Sequence, residues 1–312
     1  MTSLDQARAD RMAADRAHIS RLLETSHRIL TDAVTEHVYG TGHDLAGIVT
    51  LFSGGKDSTV LAHAFRDTAT HAAHANTGIG REETRQFVRD TCADWGLPLL
   101  EKHPLPGQTY EDIVLGRYRA NNGKQPWPGG FPGPAAHFIM YRMLKERALR
   151  QVRRELVSNP RKQRVIFITG VRTQESARRM MTTTAAGPVR REGSVVWVSP
   201  LIGWADEDLM TYRRVYGDVP LNDVSANIHM SGECLCGAYA HSGELEEIEE
   251  WYPAFVAYIR DLEHRVQEAG VGDEAHRTWG WDKNKPREHH KAAGLCGTCR
   301  SRSEAMTGVC DQ

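Results

Sequence analysis

A glycine-rich stretch in the first quarter of the chain carries residue types that suit phosphate binding. Residues 53–58, with the sequence SGGKDS, follow an apolar run and precede a helical pattern. The two glycines let the backbone approach a phosphate closely, and the following helix directs its unpaired N–H groups to the same place. Lys56 adds a positive charge, while Ser53 and Ser58 add hydroxyl groups. The spacing is too short for a Walker loop, so we call residues 53–58 the phosphate loop and expect another type.

The six cysteines include two close pairs that are suited to binding a metal. Cys234 and Cys236 form a C-x-C pair, and Cys296 and Cys299 form a C-x-x-C pair. Two such pairs complete a four-thiolate set, which fits either an iron–sulfur cluster or a structural zinc ion. A disulfide framework is not expected in a chain of this size without a secretion signal. Cys92 is predicted to be a buried, apolar helix residue.

The elements that position these groups alternate between strands and helices. Short apolar runs predict buried strands, and longer amphipathic stretches predict helices. Strands are predicted over residues 44–52, 70–78, 97–103 and 164–170, and helices over residues 58–65 and 81–95. This alternation predicts an α/β fold with a mostly parallel, doubly wound sheet that carries helices on both faces. Ligands bind at the carboxyl ends of such strands, where the phosphate loop and residues 169–175 fall.

Three regions are expected along the chain. Residues 1–42 form an N-terminal helical segment, with a helix over residues 3–39 that allows one break. Residues 43–222 form the nucleotide-binding domain. Residues 223–312 form a C-terminal helical region that carries most of the cysteines and is expected to bind a metal or cluster.

Several motifs together resemble one known family. The phosphate loop resembles the PP-loop of the ATP pyrophosphatase superfamily, which splits ATP between its α and β phosphates. Over about residues 45–222, three further motifs resemble the phosphoadenosine phosphosulfate (PAPS) reductase-like branch, in the family's order: NTGIGREETRQFV (76–88), GVRTQESARR (170–179) and VSPLIGWADEDLMTY (198–212). Asn76 stands where that branch usually has an aspartate. Asp206 and Asp208 are interpreted as acids that cap a helix, without a catalytic role.

The resemblance implies roles for individual residues. Lys56 would neutralise charge on the leaving pyrophosphate, and Asp57 would orient the phosphate loop or hold Mg²⁺. Arg172 and Arg179 would bind phosphate or sulfate oxygens through their planar forks. The expected ligand is ATP with Mg²⁺. The residues expected around the nucleotide are Ser53, Gly54, Gly55, Lys56, Asp57, Ser58, Thr77, Gly78, Gly170 and Arg172.

An intact phosphate loop is informative within this family. Members that cleave ATP keep the loop, whereas reductases that bind an already activated sulfonucleotide usually carry an altered one. We therefore expect an enzyme that cleaves ATP to AMP and pyrophosphate, adenylates an acceptor and takes part in sulfur transfer. This would resemble DndC-type proteins of DNA phosphorothioation or tRNA-thiolating enzymes. It implies a sulfur donor such as a cysteine desulfurase or thioredoxin, and it favours a 4Fe–4S cluster over zinc at the four cysteines.

The sequence is also compatible with other functions. A phosphoadenylyl-sulfate or adenylyl-sulfate reductase would form sulfite, with a cysteine on a C-terminal tail as nucleophile. Cys310 lies in such a tail, although the usual motif around that cysteine is missing, so it is a candidate catalytic thiol. A relative of the small subunit of ATP sulfurylase would leave the four paired cysteines without a role. The non-enzymatic alternative is a protein that binds a nucleotide without catalysing a reaction.

The charge distribution limits the partners. The formal net charge is −1, so no global field would attract nucleic acid. Residues 142–164 are locally basic and could contact a nucleic-acid acceptor or form a solvated helix face. The basic residues there are Arg142, Lys145, Arg147, Arg150, Arg153, Arg154, Arg161, Lys162 and Arg164. No apolar run is long enough to span a membrane, and the N-terminal sequence is too charged for a signal peptide. We expect a cytoplasmic protein that binds no membrane and is able to oligomerise.

Overall fold

A six-stranded sheet forms the centre of the computed structural model, which describes residues 3–120, 123–174 and 187–280. The strands lie in the order β3-β2-β1-β4-β6-β5. All neighbouring strands are parallel except β5 and β6, which are antiparallel. The strands are β1 (Asp44–Leu51), β2 (His71–Ala75), β3 (Leu99–Lys102), β4 (Gln163–Ile168), β5 (Val189–Glu192) and β6 (Val195–Val198). The predicted α/β fold with a mostly parallel sheet is confirmed.

The central strands are apolar because both faces of the sheet are covered. Ile48 on β1 and Ile166 on β4 pack into one helical layer. Their neighbours Val49 and Phe167 point to the opposite face and pack against the helix that precedes β4. Alternating side chains of one strand thus enter two cores, which explains the continuous apolar runs.

The helices lie on both faces of the sheet and in the C-terminal region. They are α1 (Ser3–His37), α2 (Lys56–Phe65), α3 (Glu82–Asp94), α4 (Tyr110–Val114), α5 (His137–Met140), α6 (Arg147–Leu156), α7 (Asp206–Tyr216), α8 (Asp223–Ile228), α9 (Glu244–Trp251) and α10 (Pro253–Ala269). A π-helical turn, Tyr141–Glu146, joins α5 to α6. Within the described ranges, no helix has both the length and the apolar content needed to cross a bilayer.

The N-terminal helix α1 is continuous and packs on the sheet domain. Its buried side chains Ile19 and Leu30 enter the core beneath β1 and β4. The hydroxyl of Ser26 donates to the Pro200 carbonyl at 2.8 Å and accepts from the Trp204 indole at 3.0 Å. The break allowed in the sequence prediction is therefore absent from this helix.

The C-terminal helices form a core of their own beside the sheet. Ile248 on α9 and Ile259 on α10 pack with Ile113 on α4 and with Met140 on α5. The same cluster contains Cys236. The cysteine-bearing segment is thus held by apolar packing between α4, α5 and the C-terminal helices. On α3, Cys92 is buried as predicted, and burial raises the pKa of its thiol to about 12.

Candidate active site

The phosphate loop joins the end of β1 to the start of α2. Gly54 has a φ of 75°, and a Cβ at this position would lie 2.8 Å from the Thr84 side chain. The Ser58 hydroxyl donates to the Gly55 carbonyl at 3.0 Å and lies 3.0 Å from the Ser53 hydroxyl. The start of α2 has no side-chain cap, so its N–H groups remain directed at the loop. This is the arrangement that the sequence predicts for an anion cradle.

Arg172 lies at the carboxyl end of β4, between two carboxylates. Its Nη2 donates to Asp57 Oδ1 at 3.2 Å and to Asp206 Oδ1 at 2.7 Å, and its Nη1 donates to the Trp204 carbonyl at 3.3 Å. Its side chain is only 3 % exposed. Burial lowers the pKa of Arg172, but the two carboxylates outweigh burial and raise it. The structure thus brings two predicted site residues, Asp57 and Arg172, into direct contact.

The prediction for the two acids at the start of α7 was half right. Asp208 caps the helix, because its Oδ2 accepts from the Ala205 N–H at 2.7 Å. Asp206 instead forms the ion pair with Arg172. Its carboxylate is directed at a buried cation, and that pairing replaces the expected capping interaction.

Two further groups approach Asp57. Gly170 packs against it, since a Cβ on Gly170 would lie 3.3 Å from the Asp57 backbone. Arg213 on α7 donates to the Pro220 carbonyl at 3.0 Å. Burial lowers the pKa of Arg213, and the negative charge of Asp57 opposes that shift. Arg213 was absent from the predicted site, although it directly follows the third family motif.

The loop after β2 is organised by Asn76, the residue that departs from the family pattern. Its Nδ2 donates to Glu101 Oε1 at 2.8 Å, and its Oδ1 accepts from the Gly78 N–H at 3.0 Å. Arg89 donates to both oxygens of Glu101, at 2.7 and 2.8 Å. Burial would raise the pKa of Glu101, but the hydrogen bonds from Arg89 and Asn76 lower it to about 2. Asn76 fits here because it donates to a carboxylate that stays ionised.

Glu233 ties the cysteine-bearing segment to this loop. It is 1 % exposed and directly precedes Cys234. Its Oε1 accepts from the Thr77 N–H at 2.7 Å, and its backbone carbonyl accepts from the Thr77 hydroxyl at 2.5 Å. Its other carboxylate oxygen lies 2.9 Å from His74 Nε2. Thr77 is therefore fixed by the residue next to the cysteine pair.

The segment before Glu233 also contacts the phosphate loop. Asn222 Nδ2 donates to the Gly54 carbonyl at 2.8 Å, and Thr84 donates to the Ser231 carbonyl at 3.0 Å. A Cβ on Gly55 would lie 3.0 Å from the Ser231 Cβ. We call residues 231–233 the bridging segment, because it contacts both the phosphate loop and the loop after β2 and leads into the cysteine pair. Neither Asn222 nor Glu233 was predicted, and the only sequence signal is the position of Glu233 beside a C-x-C pair.

Cys234 and Cys236 lie close together at the edge of the C-terminal core. The Leu235 carbonyl between them accepts from the Trp279 indole at 2.9 Å, and the Cys236 carbonyl accepts from the Tyr110 hydroxyl at 2.8 Å. These bonds fix the backbone so that the two thiols meet. A hydrogen bond between the thiols lowers the pKa of Cys234 and raises that of Cys236.

The other predicted ligands and two catalytic candidates fall outside the described residues. These are Cys296, Cys299, Arg179 and Cys310. Among the residues that the structure describes, no group of three or more histidine, cysteine, aspartate or glutamate side chains is arranged to hold a metal. Cys234 and Cys236 fit one half of the predicted four-thiolate set.

One member of the predicted basic stripe is buried, whereas several others are exposed. The exposed residues are Arg142, Arg150, Arg154, Arg161 and Lys162. Arg164 is buried and donates to the His37 carbonyl and to the Thr41 hydroxyl, so it anchors the end of α1. Arg164 is therefore unavailable to a nucleic acid, because its side chain fastens two elements of the fold.

A comparison with models of known protein families identifies the family of this chain. The model of the phosphoadenosine phosphosulfate reductase domain matches residues 47–225, which is more than half of the chain. The chain belongs to this family. The resemblance drawn from the motifs is confirmed, and the matched range of this PAPS reductase family member contains the phosphate loop, Thr77 and Arg172. No curated protein sequence matches the chain significantly.

Two solved structures are similar to this PAPS reductase family member. One is the PAPS reductase of Candida auris in a phosphate complex, with 16 % identity, 67 % of this chain and 90 % of that chain covered, and a TM-score of 0.42. The other is the U34-tRNA thiolase NcsA of Methanococcus maripaludis with its 4Fe–4S cluster. It has 13 % identity, 92 % of this chain and 87 % of that chain covered, and a TM-score of 0.41.

Proposed function

We propose that the protein cleaves ATP to AMP and pyrophosphate, adenylates an acceptor, and takes part in transferring sulfur to that acceptor, which we take to be a nucleic acid. The family membership supports an enzyme of the PAPS reductase and PP-loop kind.

The geometry of the phosphate loop supports ATP and Mg²⁺ as the ligand. The loop offers backbone N–H groups, the hydroxyls of Ser53 and Ser58, and the charge of Lys56. Arg172 is shared between Asp57 at 3.2 Å and Asp206 at 2.7 Å. A Mg–ATP complex carries both signs of charge, so Asp57 can exchange Arg172 for Mg²⁺ while Arg172 turns to a phosphate oxygen.

One observation carries the link to sulfur chemistry. The bridging segment contacts Gly55 in the phosphate loop and Thr77 after β2, and the next residue is Cys234. A cysteine pair that served only to stabilise a distant region would not need to adjoin both nucleotide loops. The arrangement supports a reaction in which an adenylated acceptor and a sulfur-handling region lie next to each other.

The first chemical step uses residues of the phosphate loop. An oxygen of the acceptor attacks the α-phosphorus of ATP, the bond from that phosphorus to the α,β-bridging oxygen breaks, and pyrophosphate leaves with the electron pair. Lys56 and the N–H groups of α2 stabilise the charge that develops on the leaving group. Arg172 holds the phosphate in line.

The second step needs a sulfur donor and a reductant. The terminal sulfur of a persulfide attacks the adenylated carbon of the acceptor, and AMP leaves. A second thiol then reduces the disulfide link and frees the thiolated acceptor. A cysteine desulfurase would supply the persulfide sulfur, and thioredoxin would supply the reducing thiol. Within this chain, we propose Cys310 as a persulfide carrier or resolving thiol.

The cysteine pairs would hold the metal centre. Cys234 and Cys236 would supply two thiolates, and Cys296 and Cys299 the other two. A 4Fe–4S cluster held by these four thiolates would fasten the cysteine-bearing C-terminal region. We propose the cluster over zinc. Stoichiometric zinc without iron or acid-labile sulfide in anaerobically purified protein would reject it.

The family membership favours a second candidate, a sulfonucleotide reductase. Here the Cys310 thiolate would attack the sulfur of PAPS and release adenosine 3′,5′-bisphosphate. A second thiol would then reduce the thiosulfonate to sulfite. The intact phosphate loop argues against this reaction, because PAPS has no β- and γ-phosphates that the loop could bind.

The decisive variant for the proposed function is Lys56→Ala. Anaerobic protein is incubated with Mg²⁺, radiolabelled ATP, a persulfide donor and nucleic acid, and AMP and pyrophosphate are quantified. We expect equal amounts of the two products, reduced by about 100-fold or more in Lys56→Ala, since that variant removes charge stabilisation from the leaving group. The exposed Lys162→Ala is the matched control. AMP formation that is the same in both variants would refute the assignment of the phosphate loop.

A further inference from the structure

Three large aromatic side chains lie exposed on α5, on the π-helical turn and in the segment that follows the cysteine pair. Phe138 on α5 is 53 % exposed, Tyr141 in the π-helical turn is 41 % exposed, and Tyr239 is 47 % exposed. Phe138 and Tyr141 are three positions apart on one helical face. The ring of Tyr239 lies 4.7 Å from that of His137, the neighbour of Phe138. We call Phe138, Tyr141 and Tyr239 the aromatic patch, since exposed apolar groups that cluster in this way mark interaction sites.

Positive charge accompanies these rings. The Arg142 guanidinium lies 5.8 Å from the centre of the Phe138 ring. Lys145 lies one turn further along the same helical segment. The acid next to it, Glu146, is paired with Arg150. Within the described ranges, neither Arg142 nor Lys145 forms an ion pair with a carboxylate, so the patch combines aromatic faces with cations that can pair with the phosphates of a partner.

The patch borders the cysteine pair. Tyr239 follows Cys236 by three residues, and Met140, which lies between Phe138 and Tyr141, packs in the same apolar cluster as Cys236. The supporting helix is the one whose hydrogen-bonding pattern shifts to a π-helical turn at Tyr141–Glu146. Such turns occur often at functional sites.

We propose that the aromatic patch, with Arg142 and Lys145, binds an unpaired strand of nucleic acid and presents it to the cysteine pair. Unpaired bases offer their flat faces to Phe138, Tyr141 and Tyr239, and the phosphates between them pair with Arg142 and Lys145. A duplex keeps its base faces stacked inside the helix, so it would reach only the cations. The inference rests on the proposed function for the class of acceptor, and it replaces the full basic stripe with a smaller surface.

The test is fluorescence anisotropy of the full-length protein with labelled 12-nucleotide dT and U strands and a 12-base-pair duplex. The double variant Phe138→Ala/Tyr141→Ala should bind both strands about 25-fold more weakly or worse, since each base stacked on an aromatic ring contributes about 5-fold or more. Phe138→Trp keeps a flat ring and should bind normally. Trp251→Ala on α9 is the matched control, because Trp251 is 48 % exposed and lies outside the patch.

Measurements of salt dependence and of alternative partners complete the experiment. Arg142→Gln should weaken binding and reduce the slope of log affinity against log salt concentration by about 0.7, the value for one phosphate contact in a single strand. A preference for dT or for U identifies DNA or RNA as the source of the strand. Equal losses in Trp251→Ala and the double variant, or equal affinity for the duplex, would overturn the proposal. Sedimentation in which Phe138→Ala converts a dimer to a monomer would also overturn it, since the patch would then face a second copy.

The outcome separates this inference from the proposed function. Strand binding does not require ATP and should survive in Lys56→Ala. Intact strand binding without any AMP formation would refute the proposed function alone. AMP formation with no strand binding would refute the aromatic patch alone.

Discussion

The substitution Asn76→Asp restores the residue that the family usually has, yet we expect it to destabilise this protein. In the structure, Asn76 Nδ2 donates to Glu101 at 2.8 Å. Aspartate loses this hydrogen bond to a charged group, which contributes about 1.5–3 kcal/mol. It also places a second negative charge beside Glu101, and two unit charges about 4 Å apart interact by ~4 kcal/mol at an effective dielectric constant of ~20. Arg89 offsets part of this repulsion, so we expect a net loss of ~3 kcal/mol in the free energy of unfolding at pH 7.

The loss in the free energy of unfolding should depend on pH. Burial and the charge of Glu101 should raise the pKa of the introduced carboxyl group in the folded state, so the loss is complete above that raised value. The loss should shrink as the pH falls toward about 4, where an unfolded aspartate also takes up its proton. In the parent protein, hydrogen bonds from Arg89 and Asn76 lower the pKa of Glu101 to about 2, and in the variant Arg89 remains to favour its ionised form.

Urea unfolding of the two proteins between pH 7 and pH 4.5 measures the effect. The double variant Asn76→Asp/Glu101→Gln should recover part of the loss, since glutamine can donate to the new carboxylate. Glu101→Gln alone, which leaves Arg89 with a weaker partner, sets the baseline for that comparison. A loss below about 1 kcal/mol at pH 7, or a loss that grows on acidification, would refute the proposed role of Asn76.

Two further substitutions test the site. Gly80→Ala would drive its Cβ into the backbone carbonyl of Glu233, so we expect thermal unfolding to show a loss of about 1–3 kcal/mol. Gly203→Ala has no atom within 4 Å of the new Cβ and should unfold as the parent does; equal losses in the two would contradict the contact. Arg172→Ala leaves the buried Asp57 without its cation and should cost about 3–5 kcal/mol in urea unfolding. A cost under about 1 kcal/mol would mean that this ion pair does not form in solution.

The fold was largely predictable because the central strands are apolar on both faces. Strands β1 to β4 follow from such runs. The antiparallel β5–β6 edge was not predicted, since β5 is mostly charged and exposed and gives no apolar pattern. The π-helical turn was also missed, because a shift in backbone hydrogen bonding leaves no mark in residue types.

The candidate site was predictable where it is local in sequence. The phosphate loop is one continuous stretch, so its glycines and hydroxyls could be assigned directly. Glu233 and Asn222 were missed because they reach Thr77 and Gly54 across most of the chain, and only the fold brings them together. Arg164 was wrongly predicted to be available to a nucleic acid, because the sequence alone does not distinguish a buried arginine from an exposed one.

We propose that this PAPS reductase family member splits ATP between its α and β phosphates. The most direct measurement incubates anaerobically purified full-length protein with Mg²⁺ and radiolabelled ATP, and in parallel with radiolabelled PAPS and thioredoxin, and quantifies each substrate and its products. We predict AMP and pyrophosphate in equal amounts from ATP and no sulfite from PAPS. Sulfite release from PAPS with ATP left intact would contradict the account.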